Sequence, residues 1–167
     1  MDGVRVRPAT PDDAATLLAL MVEGFEGYRG FAPAGWEPAP PPVEAMRERL
    51  GVASHWCVVA EDDDGGVAGH VAFLDSADSG HPGTEPGLAH LWQMFARPAH
   101  WGTGLAPDLL ARAVVAARER GFTAMRLFTP AGQARARRFY EREGWSLVRE
   151  FDDDRLGLRV AEYRREL

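Results

Sequence analysis

A short glycine-containing segment is the first place in this sequence where the backbone itself could do chemistry. Residues 99–110 read AHWGTGLAPDLL, and Gly102 and Gly104 precede a leucine-rich stretch with helical spacing. Glycine has no Cβ, so it adopts conformations closed to other residues and lets a ligand approach the main chain. The first turn of the following helix adds unpaired N–H groups and the positive end of the helix dipole. Together these features predict an anion site suited to a diphosphate.

Three phosphate-binding patterns compete for this segment. A P-loop requires a glycine followed by Lys and Ser or Thr, and the segment contains no Lys. A dinucleotide fingerprint fits poorly, because Pro107 occupies its third small position and Ala106 comes one place too early. The pattern x-x-G-x-G/A at a strand-to-helix junction does match, and Pro107 is tolerated in a first helical turn. These six residues alone also allow an ordinary glycine-rich connection.

Nucleophile and metal chemistry have little support in the sequence. The single cysteine, Cys57, lies in the apolar run WCVVA and has no evident base partner, so we expect a buried structural thiol. One cysteine cannot form an internal disulfide, and a reducing, cytoplasmic setting is the simplest interpretation. No Cys-x-x-Cys or His-x-x-x-His spacing suggests a metal, and none is expected.

The elements that must position the glycine segment can be predicted from periodicity and turn signals. Apolar and alternating runs alternate with helical stripes in the order β-α-α-β-β-β-α-β-α-β-β. Two segments, 27–42 and 76–87, are irregular, because Pro and Gly or polar residues dominate them. The expected fold is α/β (α+β), a single domain with a mixed central sheet of about six to seven strands flanked by about four helices.

Length and charge limit the classes of function. A chain of 167 residues is about one domain, and its net charge of −6 with no dense basic stripe makes nucleic acid an unexpected partner. No apolar run approaches the ~18 residues that span a bilayer, so no membrane partner is expected either. Residues 1–96 contain 5 Arg and 15 acidic residues (net −10), and residues 97–167 contain 14 Arg and 10 acidic residues (net +4). Such a chain could hold an anion in one half and a cation in the other, or its acidic turns could simply be solvated.

Five consecutive segments carry a family resemblance. The series LWQMFARP, AHWGTGLA, APDLLARAVVAARERG, FTAMRLFT and QARARRFYEREGW resembles the GNAT superfamily of acetyl-CoA-dependent N-acetyltransferases. The resemblance is close over residues 88–148, and VRPATPDDAATLLAL is similar to the family's first strand and helix. It implies one domain over residues 1–167, with acceptor-side elements mainly in 1–87 and the acetyl-CoA-binding core in 88–148. It also implies acetyl-CoA as co-substrate.

The resemblance assigns cofactor-binding positions. The family pattern Gln/Arg-x-x-Gly-x-Gly/Ala falls on six residues whose backbone amides would cradle the coenzyme A diphosphate: Trp101, Gly102, Thr103, Gly104, Leu105 and Ala106. Trp101 replaces the usual polar residue. On the preceding strand, Met94, Phe95 and Ala96 would offer backbone groups to the pantetheine arm, as an added strand would. Gln133 stands seven residues before Tyr140, where the family often has Asn.

The resemblance also implies direct acetyl transfer to a primary amine, with Tyr140 as general acid to the leaving thiolate. A phenol with a pKa near 10 is protonated at neutral pH and can donate a proton. Many relatives use a strand Glu as base, but strand Leu88–Ala96 contains no carboxylate, and His90 becomes the candidate. A water chain, a residue from another loop, or His70 on an earlier strand remains an alternative.

Acceptor binding is predicted in the irregular first half. Glu23, Tyr28, Phe31 and Trp36 combine acidic and aromatic side chains that could hold a cationic amine. The alternative is that the aromatic residues pack the 27–42 loop while the acids face water. A small-molecule amine is the expected acceptor and a protein amine the second candidate. A non-catalytic CoA-binding module is the rival, and a homodimer is compatible with the resemblance.

Overall fold

Seven strands form one mixed sheet, and their order determines where an opening can form. The computed structural model describes residues 3–167, and the sheet order is β1-β2-β3-β4-β5-β7-β6. The elements along the chain are β1 (Val4–Pro8), α1 (Ala14–Glu26), α2 (Val43–Leu50), β2 (Trp56–Asp62), β3 (Val67–Asp75), β4 (Leu88–Ala96), α3 (Leu105–Glu119), β5 (Ala124–Pro130), α4 (Ala134–Arg142), β6 (Ser146–Asp153) and β7 (Leu158–Glu166). Their number and order confirm the predicted fold class.

Strands β4 and β5 are the only parallel neighbours in the described sheet, and they pair over only part of their length. Their ladder joins Leu88–Leu91 to Ala124–Leu127. Beyond Leu91, β4 pairs with β3 alone, while the rest of β5 pairs with β7. Residues 92–96 of β4 therefore have no strand partner on the β5 side, which makes a gap in the sheet.

Two layers of helix cover the sheet. Helix α3 packs on one face through the predicted stripe of Leu105, Leu109, Ala113 and Ala117, and Tyr140 of α4 joins the same core cluster. Helices α1 and α2 pack on the opposite face over Cys57 and neighbouring side chains. The Cys57 thiol is buried as predicted, and burial raises its pKa to about 12. No helix within residues 3–167 is long and apolar enough to cross a bilayer.

A short turn of 3-10 helix precedes the first α-helix. Thr10 precedes a turn of 3-10 helix at Pro11–Asp13, and α1 begins only at Ala14. The Asp13 carboxylate accepts a hydrogen bond from the Thr10 backbone N–H at 2.7 Å and pairs with Arg7 at 2.8 Å. The acidic first turn therefore also ties α1 to β1, because Arg7 lies on that strand.

Candidate active site

The gap between β4 and β5 opens into a cavity of about 360 Å³, here called the main cavity. Its walls come from α1, the 27–42 and 76–87 loops, β4, β5, α4 and the region where β6 turns into β7. Its polar lining includes Tyr28, His81, His90, Gln93, Thr129, Gln133, Tyr140, Asp153 and Arg155. Its volume lies within the ~300–1,000 Å³ typical of small-molecule sites. The separation of β4 and β5 beyond Leu91 therefore produces a cavity between the two strands.

Tyr140 lies on the α4 wall of the main cavity. Its side chain is 8% exposed and packs edge-on against Trp145, with ring centroids 6.0 Å apart. Burial raises the pKa of the phenol above its ordinary value of 10. Tyr140 is therefore a protonated donor at neutral pH that faces the cavity where the predicted chemistry would occur.

The glycine segment leads directly into α3. Gly102 and Gly104 have φ angles of +79° and +90°, and Gly104 is the N-cap residue. A Cβ on either glycine would meet no atom within 4 Å, so backbone conformation, and not crowding, requires glycine here. Within residues 3–167, no acceptor bonds the backbone N–H groups of Gly102, Gly104, Leu105 or Ala106. These open donors fit an anion.

Trp101 joins the glycine segment to β4 and α4. Its indole Nε1 donates a hydrogen bond to the Ala96 carbonyl at 2.8 Å, and the Arg135 guanidinium lies 3.7 Å from its ring centroid. The side chain remains 49% exposed. The Ala96 carbonyl is consequently engaged by Trp101, whereas Met94 and Phe95 line the main cavity.

Gln133 is the residue just before α4 and lines the main cavity. Its Oε1 accepts a hydrogen bond from the Thr129 hydroxyl at 3.1 Å. The contact fixes the side chain between the end of β5 and the start of α4. Its amide nitrogen remains available to a ligand, because the Thr129 contact uses only the oxygen.

His90 lies on β4 and is 2% exposed at the cavity wall. Its Nδ1 accepts a hydrogen bond from the Arg126 Nε at 3.1 Å. A guanidinium can only donate, so Nδ1 must be unprotonated and the neutral ring carries its proton on Nε2. Burial, and then the Arg126 charge, lower the His90 pKa well below 6.5. This geometry gives His90 the properties of an N–H donor and does not favour its predicted role as base.

A histidine and an aspartate that the sequence did not single out also line the cavity. His81 Nδ1 lies 3.9 Å from Asp153 Oδ2, across the 76–87 loop and the β6–β7 turn. The Asp153 Oδ1 accepts hydrogen bonds from the backbone N–H groups of Arg155 and Leu156 at 2.9 and 3.0 Å. Burial, and then Arg155, lower the His81 pKa from 6.5. The sequence gives no signal for this pair, because the two residues are far apart along the chain and only the tertiary fold brings them together.

The three aromatic residues predicted at the acceptor site pack against one another, with the Tyr28 ring centroid 5.5 Å from that of Phe31 and 6.2 Å from that of Trp36, while Glu23 lies apart. Only Tyr28 lines the main cavity, and burial raises its pKa to about 12. Glu23 pairs with Arg97 at 3.2 Å near the surface. Phe31 packs on Gly132, where a Cβ would lie 2.9 Å from its ring, and Trp36 Nε1 donates to the Leu156 carbonyl at 2.8 Å. Phe31 and Trp36 therefore make contacts that fix the 27–42 loop against the rest of the protein.

His70 has a different place from the other cavity histidines. It is fully buried on β3, outside the cavity wall, and burial lowers its pKa to about 4. Within residues 3–167 neither ring nitrogen has a hydrogen-bond partner. The same residues contain no group of three or more His, Cys, Asp or Glu side chains arranged to hold a metal.

The family model for the GNAT acetyltransferases matches residues 21–145. This chain belongs to the GNAT acetyltransferase family. GNAT members are acyltransferases, and the seven-stranded sheet with its split between β4 and β5 is thus that of an enzyme family.

Solved GNAT structures are similar over almost the whole chain. A GNAT-family protein from Desulfovibrio desulfuricans is 26% identical, with a TM-score of 0.68 and 98% of each chain covered. The ribosomal-protein-alanine N-acetyltransferase of Brucella melitensis is 21% identical, with a TM-score of 0.76 and coverage of 98% of this chain and 99% of that one. The yncA protein of Salmonella typhimurium, solved with its cofactor acetyl-CoA, is 20% identical, with a TM-score of 0.73 and coverage of 99% and 95%. No curated protein matches significantly.

Proposed function

We propose that this GNAT protein transfers an acetyl group from acetyl-CoA directly to the primary amine of a small acceptor, with Tyr140 as general acid. The observation that carries the proposal is the cavity at the β4–β5 gap. Its lining includes the buried, protonated phenol of Tyr140 and the part of β4 that has no partner on the β5 side, and one short turn joins β4 to the open N–H groups of the glycine segment. Acetyl-CoA in the similar yncA protein of Salmonella typhimurium also supports the choice of donor.

The reaction needs no covalent intermediate on the protein. The amine nitrogen attacks the acetyl carbonyl carbon, and a C–N bond forms as the oxygen becomes an oxyanion. The C–S bond then breaks, Tyr140 gives its proton to the departing thiolate, and a base takes the proton that the amine loses. Backbone N–H groups on the unpaired side of β4 are suited to stabilise the oxyanion.

For the amine proton, we infer that His81 is the base. The Asp153 carboxylate faces His81 Nδ1 and favours a proton there, which leaves Nε2 free to accept one. The lowered pKa keeps the ring neutral at pH 7. His90 then serves as a donor from its protonated Nε2, because Arg126 occupies its other nitrogen.

The test of the proposal compares two tyrosines. Tyr140→Phe should lower kcat for thiol release from acetyl-CoA about 100-fold, since it removes the proton donor. Acetyl-CoA affinity should change by less than about 2-fold, because a role confined to the transition state leaves ground-state binding intact. The control is Tyr163→Phe, whose hydroxyl contacts Arg137 and Glu141. Equal kcat values for the two variants would remove Tyr140 as the acid.

A non-catalytic CoA-binding module is the competing function for the same fold. It predicts that acetyl-CoA binds while no amine accelerates thiol release above the hydrolysis rate. A protein amine as acceptor is less compatible with a cavity of about 360 Å³. An acceptor screen with thiol detection tests both alternatives.

A further inference from the structure

A second, smaller cavity adjoins the main cavity and is here called the annex. It has a volume of about 200 Å³ and shares Pro41, His81, Trp92 and Arg155 with the main cavity. Tyr140 and Gln133 line only the main cavity, so the annex extends away from the proposed reaction centre. A bound acceptor could place its amine in one compartment and another group in the other.

Two arginines dominate the annex. Arg49 comes from α2 and Arg155 from the β6–β7 turn. Within residues 3–167 no carboxylate lies within ion-pair distance of either guanidinium. By contrast, Arg29 contacts both Glu26 and Glu37. The annex therefore holds positive charge that the described protein does not neutralise.

Each annex arginine is held in place by a contact that leaves donors free. The Arg49 guanidinium lies 4.9 Å from the Trp92 ring centroid, which is a cation–π arrangement. Arg155 donates a hydrogen bond to the Gly80 carbonyl. Burial, and then the nearby Arg155 charge, lower the pKa of Arg49. Two like charges that share a partly buried wall repel each other, and an anion between them would relieve that repulsion.

The main cavity shares the positive charge of Arg155 with the annex but adds a negative charge. Among the described residues that line the main cavity, Asp153 alone carries a carboxylate, and it does not line the annex. Its side chain faces His81. An ammonium group near His81 and Asp153, with an anionic group near Arg49 and Arg155, would match the charges of both compartments.

We propose that the annex binds the carboxylate of the acceptor, and that the acceptor is a free amino acid or a similarly small amino-carboxylate. The inference rests on the proposed acetyl transfer, because it names the acceptor class for the same cavity. Guanidinium groups bind carboxylates through paired, charge-assisted hydrogen bonds, which gives both affinity and orientation. Holding the carboxylate in the annex directs the amine toward His81 and the acetyl group.

The experiment measures thiol release from acetyl-CoA with three matched acceptor sets: the L-amino acids, their amides, and the corresponding decarboxylated amines. We expect kcat/KM for the best amino acid to exceed that for its amide by at least ~100-fold, because the amide leaves the buried arginines unpaired. Arg49→Gln and Arg155→Gln should each reduce this preference about 10- to 100-fold, mainly by raising KM. For the amides, kcat/KM should fall by a smaller factor in both variants, because an amide has no carboxylate for the arginines to bind.

Arg47→Gln is the matched control, because Arg47 lies on the same helix but pairs with Glu44 at the surface. Arg155→Glu gives a second, positive readout, since a carboxylate there should reverse the preference toward the decarboxylated amines. Acetyl-CoA affinity and the melting temperature of each variant report whether it is folded.

The outcomes separate the two proposals. Efficient transfer to amides and simple amines, unchanged by the arginine variants, would overturn the annex assignment and leave the acetyltransferase function standing. Preferential acetylation of aminophosphonates or aminosulfonates would show that an oxyanion other than carboxylate occupies the annex, which contradicts the assignment of amino-carboxylates. Absence of transfer to every acceptor, with acetyl-CoA bound, would instead refute the proposed function.

Discussion

The glycine segment and the acceptor wall are built in opposite ways. The segment Trp101–Ala106 is continuous, and its features are backbone features: positive φ at two glycines and open N–H groups at a helix start. The acceptor wall draws on α1, α2, the 27–42 and 76–87 loops and the β6–β7 turn, and its features are side-chain charges. In the proposed function, local backbone geometry would bind the common donor molecule, whereas residues that the fold assembles from distant segments would bind the acceptor.

Substitution of Gly104 should weaken donor binding strongly and leave the acceptor side intact. Gly104→Val should raise the Kd for acetyl-CoA at least ~100-fold, equivalent to about 2.7 kcal/mol. Gly104 has φ +90°, a conformation that a β-branched residue strongly disfavours, and its surroundings are open, so the added side chain would project where phosphate must approach. Isothermal titration with acetyl-CoA measures the change.

The matched control for this variant is Gly27→Val. Gly27 has φ −65°, an ordinary helical value, and its Cβ position is also open. We expect its Kd for acetyl-CoA to equal that of the unmodified protein. Normal acetyl-CoA binding by Gly104→Val would contradict the assignment of the glycine segment as the diphosphate site.

The next effect concerns the acceptor side. His81→Gln should lower kcat at neutral pH about 100-fold while leaving acetyl-CoA affinity unchanged, since glutamine cannot take up the amine proton. The sign of the pH dependence follows from the lowered pKa of His81. The base is active when neutral, so kcat/KM should fall with decreasing pH only below pH 6.5. Between pH 6.5 and the pKa of the acceptor amine, kcat/KM should not depend on pH.

The His81→Gln variant should instead react only with acceptor molecules whose amine is already deprotonated. Its kcat/KM should rise about tenfold per pH unit up to the pKa of the amine and approach that of the unmodified enzyme at high pH. His90→Gln provides the comparison and should retain the pH-independent region, because His90 donates in our assignment. If kcat/KM of His81→Gln stayed independent of pH over this range, or if only His90→Gln lost the pH-independent region, His90 would be the base.

The sequence predicted the features that depend on local backbone geometry, and it did not predict those that depend on tertiary contacts. The order of elements, the α3 stripe, the buried Cys57 and the glycine conformations depend on short-range periodicity and backbone preference, and the structure has them. The Arg126 contact that fixes the His90 tautomer depends on strand pairing between β4 and β5, and so was not predictable from spacing. Local sequence gives no indication that Arg97 pairs with Glu23, or that Asp153 lies near His81, because the partners are far apart along the chain.

Substitution of Trp101 tests whether the backbone of the glycine segment is sufficient to bind the donor. Trp101 stands where the family usually has a polar residue, and its ring contacts Arg135 while its Nε1 bonds the Ala96 carbonyl. Trp101→Leu removes both contacts but leaves the N–H groups of the segment in place, so the Kd for acetyl-CoA should rise only about 2- to 5-fold, the scale of an exposed cation–π contact. Trp101→Phe keeps an aromatic face for Arg135 and loses only the hydrogen bond, which separates the two contributions. A 100-fold loss in either variant would mean that the side chain binds the donor directly, and the contrast between a backbone-built donor site and a side-chain-built acceptor site would fail.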